Sequence, residues 1–275
     1  MLDLLVHCHE FDRFTAAPRY AARLAGALGA ALTGLYTAPP LPALADTPET
    51  EALNAEFFAY ASDEIERAGQ AGHGFAAFAA ACGASGARWQ VALGTLAASL
   101  VAAANWNDWI VLEHRDRVPQ ECVPAIARAL LSGAPCLVLR EGSEPPAQPR
   151  CVAIAWNGSP EAIRAVKAAL PLLRLAQRVC VLSVYAPVMR HSRIVCEPEF
   201  ALEPFLAAHG VNAQTALLEP NPRPIEESIL VGCAQAGADL LVMGAFGSSR
   251  LHAHDARGVT QFLLEHGGVP LFLRH

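Results

Sequence analysis

The chain has 275 residues, of which 53% are hydrophobic and 17% are charged, and its formal net charge is −6. At about 150 residues per domain, this length predicts two domains, and the acidic balance argues against nucleic-acid binding, which needs a basic face. The 11 Phe, 4 Tyr and 4 Trp residues are not typical of a disordered chain.

Two uncharged stretches, residues 68–87 and 89–107, have about the length of a membrane span. Glycine, weakly apolar alanine and polar amides oppose membrane insertion, so we expect helices and short strands of a folded domain here. The start of the chain lacks the basic and apolar pattern of a secretory signal, and its eight cysteines contain no Cys-x-x-Cys pair. We therefore expect a cytoplasmic protein with reduced thiols that pack as small apolar groups.

The first half of the chain alternates apolar runs with helical segments. In chain order, its clearest predicted elements are a strand over residues 4–6, a helix over 19–28, and strands over 31–36, 109–112 and 136–139. Nearly continuous apolar runs are typical of parallel strands that are buried on both faces. Strands separated by helices predict right-handed βαβ units.

A proline-rich stretch at residues 141–149 predicts an exposed linker between the halves. The predicted domains are residues 1–142 and 150–275. Charge also divides here: residues 1–146 hold 9 arginines and 16 acids, net −7, whereas residues 147–275 hold 11 basic residues and 10 acids, net +1.

The second half repeats the order of the first. Its predicted elements are a strand over residues 152–155, a helix over 161–173, strands over 179–185 and 240–243, a helix over 259–266 and a strand over 271–273. Ser159 and Pro160 are favourable residues for a helix start, and Gly267 for a helix end. The sequence thus predicts an α/β protein with two repeated, doubly wound, open and mainly parallel five-stranded sheets, with helices on both faces.

Two candidate binding segments leave strands of the second half. Residues 155–159 form one turn, and residues 243–250 form another that is rich in glycine and precedes the helix start at 258–260. Ligands of doubly wound sheets bind at the carboxyl ends of strands, and a helix N-terminus presents free N–H groups to phosphate. Arg250 and Arg257 add positive charge. The alternative is that Gly244 and Gly247 only form a tight turn.

These residues resemble a known family. Residues 237–251 and 258–260 look like the carboxy-terminal signature of the universal stress protein family, and residues 152–159 resemble the first strand and turn of its tandem bacterial members. The first half is similar in architecture but not in motif. The resemblance implies an adenine nucleotide alpha-hydrolase-like fold and a non-catalytic binding or signalling module of the stress response.

The resemblance also implies an ATP site in the second half, with Mg²⁺ only as a partner of ATP. Asn157 stands where an Asp usually meets the adenine or ribose, and Val184 would face the edge of the base. Arg257 replaces an expected glycine, so it either blocks the phosphates or pairs with them. The implied nucleotide-binding residues are Ala155, Asn157, Val184, Met243, Gly244, Gly247, Arg257, Gly258, Val259 and Thr260.

The first half lacks this motif, because residues 113–119 contain no glycine and begin with Glu113. We therefore expect no ATP there. His7, Cys8, His9 and Glu10 form the densest group of metal-ligand types, with His7 and His9 on one face of a strand. The alternatives are a metal site and hydrogen-bonded structural histidines; no metal site is assigned.

Catalytic motifs are absent from the sequence: Lys167 is the only lysine and lies within a predicted helix, and no Gly-x-Ser-x-Gly occurs. The alternatives to a binding module are a nucleotide-hydrolysing enzyme that uses Arg250, Arg257 and Thr260, and a structural dimer without nucleotide. By the resemblance, the strands 136–139 and 271–273 would pair within one chain, and two chains would associate. The segments 39–54 and 187–204 would cover sites or partner surfaces, and neither a membrane nor a nucleic-acid partner is expected.

Overall fold

The computed structural model describes residues 1–38, 51–115, 119–184, 201–218, 224–246 and 258–275. Most of the segments 39–54 and 187–204 therefore lies outside the described residues. The chain divides into two compact units, Met1–Ala147 and Gln148–His275. This boundary falls within the proline-rich stretch at residues 141–149.

The first unit contains a parallel sheet in the order β3-β2-β1-β4-β5. Its elements are β1 (Asp3–Cys8), α1 (Ala16–Leu28), β2 (Ala31–Ala38), α2 (Glu51–Gln70), α3 (Gly72–Ala81), β3 (Gly86–Leu93), α4 (Leu96–Ala104), β4 (Trp109–His114), α5 (Pro119–Leu131) and β5 (Cys136–Arg140). Helix α1 packs against β1, β4 and α3, whereas α4 packs against α5. These two groups of helices cover the sheet.

The second unit contains a parallel sheet in the order β10-β9-β6-β7-β8. Its elements are β6 (Cys151–Trp156), α6 (Pro160–Leu175), β7 (Arg178–Val184), α7 (Leu202–Ala208), β8 (Ala213–Leu218), α8 (Ile225–Ala236), β9 (Leu240–Gly244), α9 (Val259–His266) and β10 (Leu271–Arg274). Counted from its own first strand, each unit has the order 3-2-1-4-5. The predicted fold class of two repeated, doubly wound α/β sheets is confirmed.

The central strands form the core of each unit. Residues 4–6 of β1 and 152–154 of β6 are completely buried, as strands covered on both faces require. Five of the eight buried residues of α1 are alanines, whose small side chains let the helix lie close to the sheet. Apolar residues therefore form a buried core in each of the two units.

The third strand of each described sheet is the one strand that the apolar pattern did not reveal. Strand β3 alternates between exposed and partly buried residues, and most of β8 is exposed or partly buried. Each lies at one end of its unit's sheet and pairs with one strand, so it lacks the continuous apolar run of the central strands. The two uncharged stretches contain α3 and α4, and β3 extends from one into the other across Arg88. None of the described helices combines the length and apolarity needed to cross a bilayer.

An aspartate before the fourth strand fixes the start of the first strand in both units. In the first unit, Asp108 Oδ2 accepts a hydrogen bond from the backbone N–H of Asp3 at 2.8 Å. In the second, Asp239 accepts from the N–H groups of Arg150 at 3.0 Å and Cys151 at 3.1 Å. The repeat thus extends from strand order to individual hydrogen bonds.

The seven described cysteines are free thiols, and five of them are buried. Burial raises the pKa of Cys233 to about 12, with Cys180 and Cys151 adding to the shift. The thiol of Cys233 is therefore protonated at neutral pH, and the five buried cysteines pack as small apolar groups.

Candidate functional site

Four of the predicted nucleotide-binding residues lie at the carboxyl edge of the second unit's sheet. Ala155 in β6 is the register partner of Met243 in β9, and Gly244 is the last residue of β9. Val184 ends β7, directly after the residue paired with Trp156. The parallel register therefore brings Ala155, Val184, Met243 and Gly244 to one edge.

Asn157 forms part of the turn between β6 and α6. Its side chain is exposed, and its Oδ1 accepts a hydrogen bond from the N–H of Ser159 at 3.0 Å. Gly158 has φ of 70°, in the left-handed region that suits glycine. The side-chain oxygen of Asn157 thus stabilises the turn, and its side-chain NH₂ group is the part that a ligand could contact.

The start of α6 matches its sequence signals. Ser159 Oγ accepts from the N–H of Ala162 at 3.2 Å, and Pro160 is the first helical residue. Nearby, Glu161 forms an ion pair of 2.9 Å with Arg164. Burial opposes the shift, but hydrogen bonds and Arg164 lower the pKa of Glu161 overall, so this carboxylate is ionised beside the edge of the sheet.

Gly244 is required by the close approach of α6. A Cβ atom at this position would lie 2.6 Å from the backbone nitrogen of Ala162 and 2.7 Å from the carbonyl carbon of Glu161. Its backbone is not in the left-handed region, so helix packing, rather than turn geometry, explains the glycine here. This packing leaves the end of β9 without a side chain.

Gly258, Val259 and Thr260 begin α9, which connects β9 to its parallel neighbour β10. A helix with this connection begins at the carboxyl edge of the sheet. Gly258 is exposed, has extended backbone and provides no side-chain cap, while Thr260 is 7% exposed. The first turn of α9 therefore offers backbone N–H groups at the candidate site. Gly247, Arg250 and Arg257 lie outside the described residues.

Two features of this edge had no signal in the sequence. Phe246 has φ of 52°, a conformation uncommon for a bulky residue. His275 contacts the residue that precedes Phe246, because His275 Nδ1 lies 3.1 Å from the carbonyl oxygen of Ala245. Arg164 Nε in turn donates to the carbonyl oxygen of His275 at 3.0 Å. Such contacts join residues that are far apart in the sequence, so local sequence patterns do not predict them.

The residue of the first unit that corresponds to Gly244 is Glu113, the last residue but one of β4. Its Oε2 accepts hydrogen bonds from Thr15 Oγ1 at 2.8 Å and from the N–H of Ala17 at 3.3 Å, and the residue is 5% exposed. The carboxylate therefore lies against the first turn of α1, where it interacts favourably with the helix dipole. An anion already occupies this helix start.

His7 and His9 lie beside each other at the end of β1, with ring centroids 4.5 Å apart. Cys8, which lies between them in the sequence, is fully buried, and burial raises the pKa of its thiol. Within the described part of the chain, no group of three His, Cys, Asp or Glu side chains is placed to hold a metal ion. The geometry therefore offers no support for the alternative of a metal site at this cluster.

No family model matches the chain, and no curated protein matches it. Among solved structures, it is similar to a universal stress protein from Archaeoglobus fulgidus DSM 4304, with 13% identity and a TM-score of 0.70, over 99% of this chain and 96% of that one. A functionally unknown protein from Pseudomonas aeruginosa PAO1 has 15% identity and a TM-score of 0.54, over 99% and 92% of the two chains. A Pseudomonas aeruginosa UCBPP-PA14 protein named in the same family has 16% identity, the same TM-score and the same coverage. The resemblance to universal stress proteins is thus confirmed as a shared fold across the whole chain.

Proposed function

We propose that the chain is a tandem universal stress protein, a non-catalytic binding or signalling module that binds ATP through its second unit only. The shared fold and the signature-like residues 237–251 support the family assignment. Because the identity to solved structures is low, the nucleotide itself is proposed from the residues of this chain.

The observation that carries the proposal is the contrast between Glu113 and Gly244. In the first unit, a buried carboxylate is hydrogen-bonded to the start of α1 and would repel a phosphate. In the second unit, the same position has no side chain, and α9 begins at the same edge with free N–H groups. Phosphates bind at such helix starts through N–H groups and the helix dipole.

Each predicted residue then has a role in the proposal. The first turn of α9, residues 258–260, would bind the phosphates, with Mg²⁺ as their partner. The amide of Asn157 and the end of β7 at Val184 would contact the ribose and base. Arg257 would either pair with a phosphate or exclude it.

The central experiment is to denature the purified chain and look for released nucleotide by chromatography, then to titrate Mg-ATP by calorimetry. We expect saturable binding with one site per chain. Absence of both nucleotide and heat would contradict the ATP site and favour the structural alternative. Sustained release of phosphate would favour the enzyme, which would use Arg250, Arg257 and Thr260.

The Arg257→Gly variant separates the two roles of that arginine. If the side chain blocks the phosphates, the variant binds Mg-ATP more tightly than the parent chain; if it pairs with them, binding weakens. Arg23→Ala, which removes an exposed arginine of the first unit, is the matched loss of one charge. We expect this control to leave the affinity unchanged.

We also propose that two chains associate in solution, as the family resemblance implies. Light scattering after size-exclusion chromatography measures the mass directly. A mass equal to that of one chain, 29.1 kDa, at all concentrations tested would contradict association.

A further inference from the structure

Ala245, the first residue after β9, is hydrogen-bonded through both of its backbone groups. Its N–H donates to the carbonyl oxygen of Arg274 at 2.8 Å, which continues the parallel pairing of β9 with β10. Its carbonyl oxygen lies 3.1 Å from Nδ1 of His275. In a parallel ladder this carbonyl would accept from a backbone N–H of the neighbouring strand, so the imidazole of His275 takes the place of that donor.

The contact with His275 satisfies a buried group. Ala245 is completely buried, and a buried carbonyl without a donor is costly. A carbonyl oxygen only accepts hydrogen bonds, so Nδ1 of His275 must carry a proton. The side chain of His275 therefore stabilises the position of Ala245, directly after the last residue of β9.

Helix α6 holds His275 in turn. Arg164 Nε donates to the carbonyl oxygen of His275 at 3.0 Å, and the guanidinium of Arg164 pairs with Glu161 at 2.9 Å. The same helix packs against both β9 and β10, and its first turn lies against Gly244. Ala245 is thus connected to β10 through the backbone and to α6 through His275 and Arg164.

The residue that follows Ala245 has a strained backbone. Phe246 has φ of 52°, and a bulky residue keeps such a conformation only where the surrounding structure determines it. Residues 247–257 come next in the sequence, and they include Gly247 and Arg257 of the proposed nucleotide site. The direction in which the chain leaves β9 toward these residues is therefore determined at Ala245 and Phe246.

We propose that His275, supported by Arg164, is a positioning residue of the nucleotide site. Its hydrogen bond to Ala245 fixes the direction in which the chain leaves β9, so that less ordering is needed when phosphate binds. Binding is stronger where the site is ordered in advance, and the affinity for ATP therefore depends on His275. This inference rests on the proposed function, because its ligand is the ATP of that proposal.

Calorimetry with Mg-ATP on the full-length chain measures this dependence. In His275→Ala, we expect binding to be about three- to tenfold weaker, the effect of one lost hydrogen bond. In His275→Asn, the side-chain NH₂ group replaces the N–H at Nδ1, and we expect most of the affinity to return. This rescue distinguishes positioning by the hydrogen bond from a general loss of packing.

The other end of α6 provides matched controls. There Arg174 Nε donates to the carbonyl oxygen of His209 at 2.9 Å, and His209 Nδ1 lies 2.8 Å from the carbonyl oxygen of Phe205. We expect His209→Ala to leave the affinity unchanged. Arg164→Ala should weaken binding while Arg174→Ala does not, and this pair of variants serves where His275→Ala does not fold.

Two measurements without nucleotide follow the same contact. Above neutral pH, ¹⁵N NMR of the His275 ring should show the proton on Nδ1. Hydrogen exchange at the N–H groups of Ala245 and Phe246 should be faster in His275→Ala than in the parent chain, and unchanged in His209→Ala. A proton on Nε2 alone, or unchanged exchange in His275→Ala, would overturn the proposal.

The binding data separate this inference from the proposed function. If the parent chain binds Mg-ATP and His275→Ala binds it equally well, His275 is not a positioning residue, while the nucleotide site stands. The same conclusion follows if His275→Asn binds no better than His275→Ala. If the parent chain does not bind Mg-ATP, both proposals are wrong.

Discussion

Glu113 and Gly244 occupy the same position in two copies of one fold, and each determines how the neighbouring helix begins. The carboxylate of Glu113 receives hydrogen bonds from Thr15 and Ala17 at the start of α1. Gly244 lets α6 begin against the end of β9. At this position the first unit therefore has a carboxylate that caps the helix start, whereas in the second unit the helix backbone packs directly against the strand.

Glu113→Ala should lower the free energy of unfolding of the first unit by about 1–3 kcal/mol, because buried donors lose their acceptor. Urea unfolding is followed by tryptophan fluorescence in a Trp156→Phe background, where the remaining tryptophans all belong to the first unit. The control is Glu144→Ala, which removes an exposed ion pair with Arg19 and should cost less than about 1 kcal/mol. Equal losses in both variants would show that Glu113 does not stabilise the helix start.

Gly244→Ala should destabilise the second unit by about 1–3 kcal/mol, because its Cβ would overlap the backbone of α6. Thermal unfolding, monitored by circular dichroism, measures the change. Gly268→Ala is the matched control, since a Cβ there meets nothing within 4 Å. An unchanged transition in Gly244→Ala would contradict the packing argument.

The first unit should lose stability as the pH falls from about 6.5 toward 3. His7 remains neutral in the folded unit because its pKa is lowered to about 3, whereas an unfolded histidine gains a proton near pH 6.5. The unfolded state therefore binds more protons across this window, and stability rises with pH. His9 acts in the same direction.

This dependence is measured by urea unfolding at several pH values in the Trp156→Phe background. His7→Gln should reduce the slope of stability against pH, whereas His73→Gln, at an exposed position of α3, should not. An unchanged slope in His7→Gln would assign the pH dependence to other groups.

Among the elements, the central strands and the helices α1, α6 and α9 were predicted from the sequence, and the third strands were not. Residues 4–6 and 152–154 are apolar throughout because both faces are buried. Strands β3 and β8 alternate or are largely exposed because each has a neighbour on one side only within its unit. Their pairing depends on distant residues, which short-range periodicity does not report.

Asp239→Ala should cost about 1–3 kcal/mol in the second unit, since two backbone N–H groups at the start of β6 lose their acceptor. The equivalent Asp108→Ala removes one such bond at an exposed site and should cost less. Hydrogen exchange at the first residues of β6 and β1 measures both effects. A larger effect at Asp108 would contradict the assigned difference.

For the whole molecule, the proposed function predicts that ATP acts on one unit. At a Mg-ATP concentration of about 100 times Kd, binding should stabilise the second unit by about 2.7 kcal/mol. Hydrogen exchange with mass spectrometry should show protection in β6, β9 and α9, and none in the first unit. Protection of β1 and β4 to the same degree would contradict a single site.

The sequence by itself determined the duplication, the division near residues 141–149 and the α/β class, because these depend on local periodicity and strand order. It also located the segments 155–159 and 243–260 as candidate binding regions. Only the tertiary structure decided that Glu113 caps the start of α1 and that α6 packs closely against Gly244. The same holds for the buried ring nitrogens of His7 and His9 that have no hydrogen-bond partner among the described residues. These contacts depend on the parallel register, which brings together residues about a hundred positions apart in the sequence. Local sequence patterns span only a few residues and so do not predict such contacts.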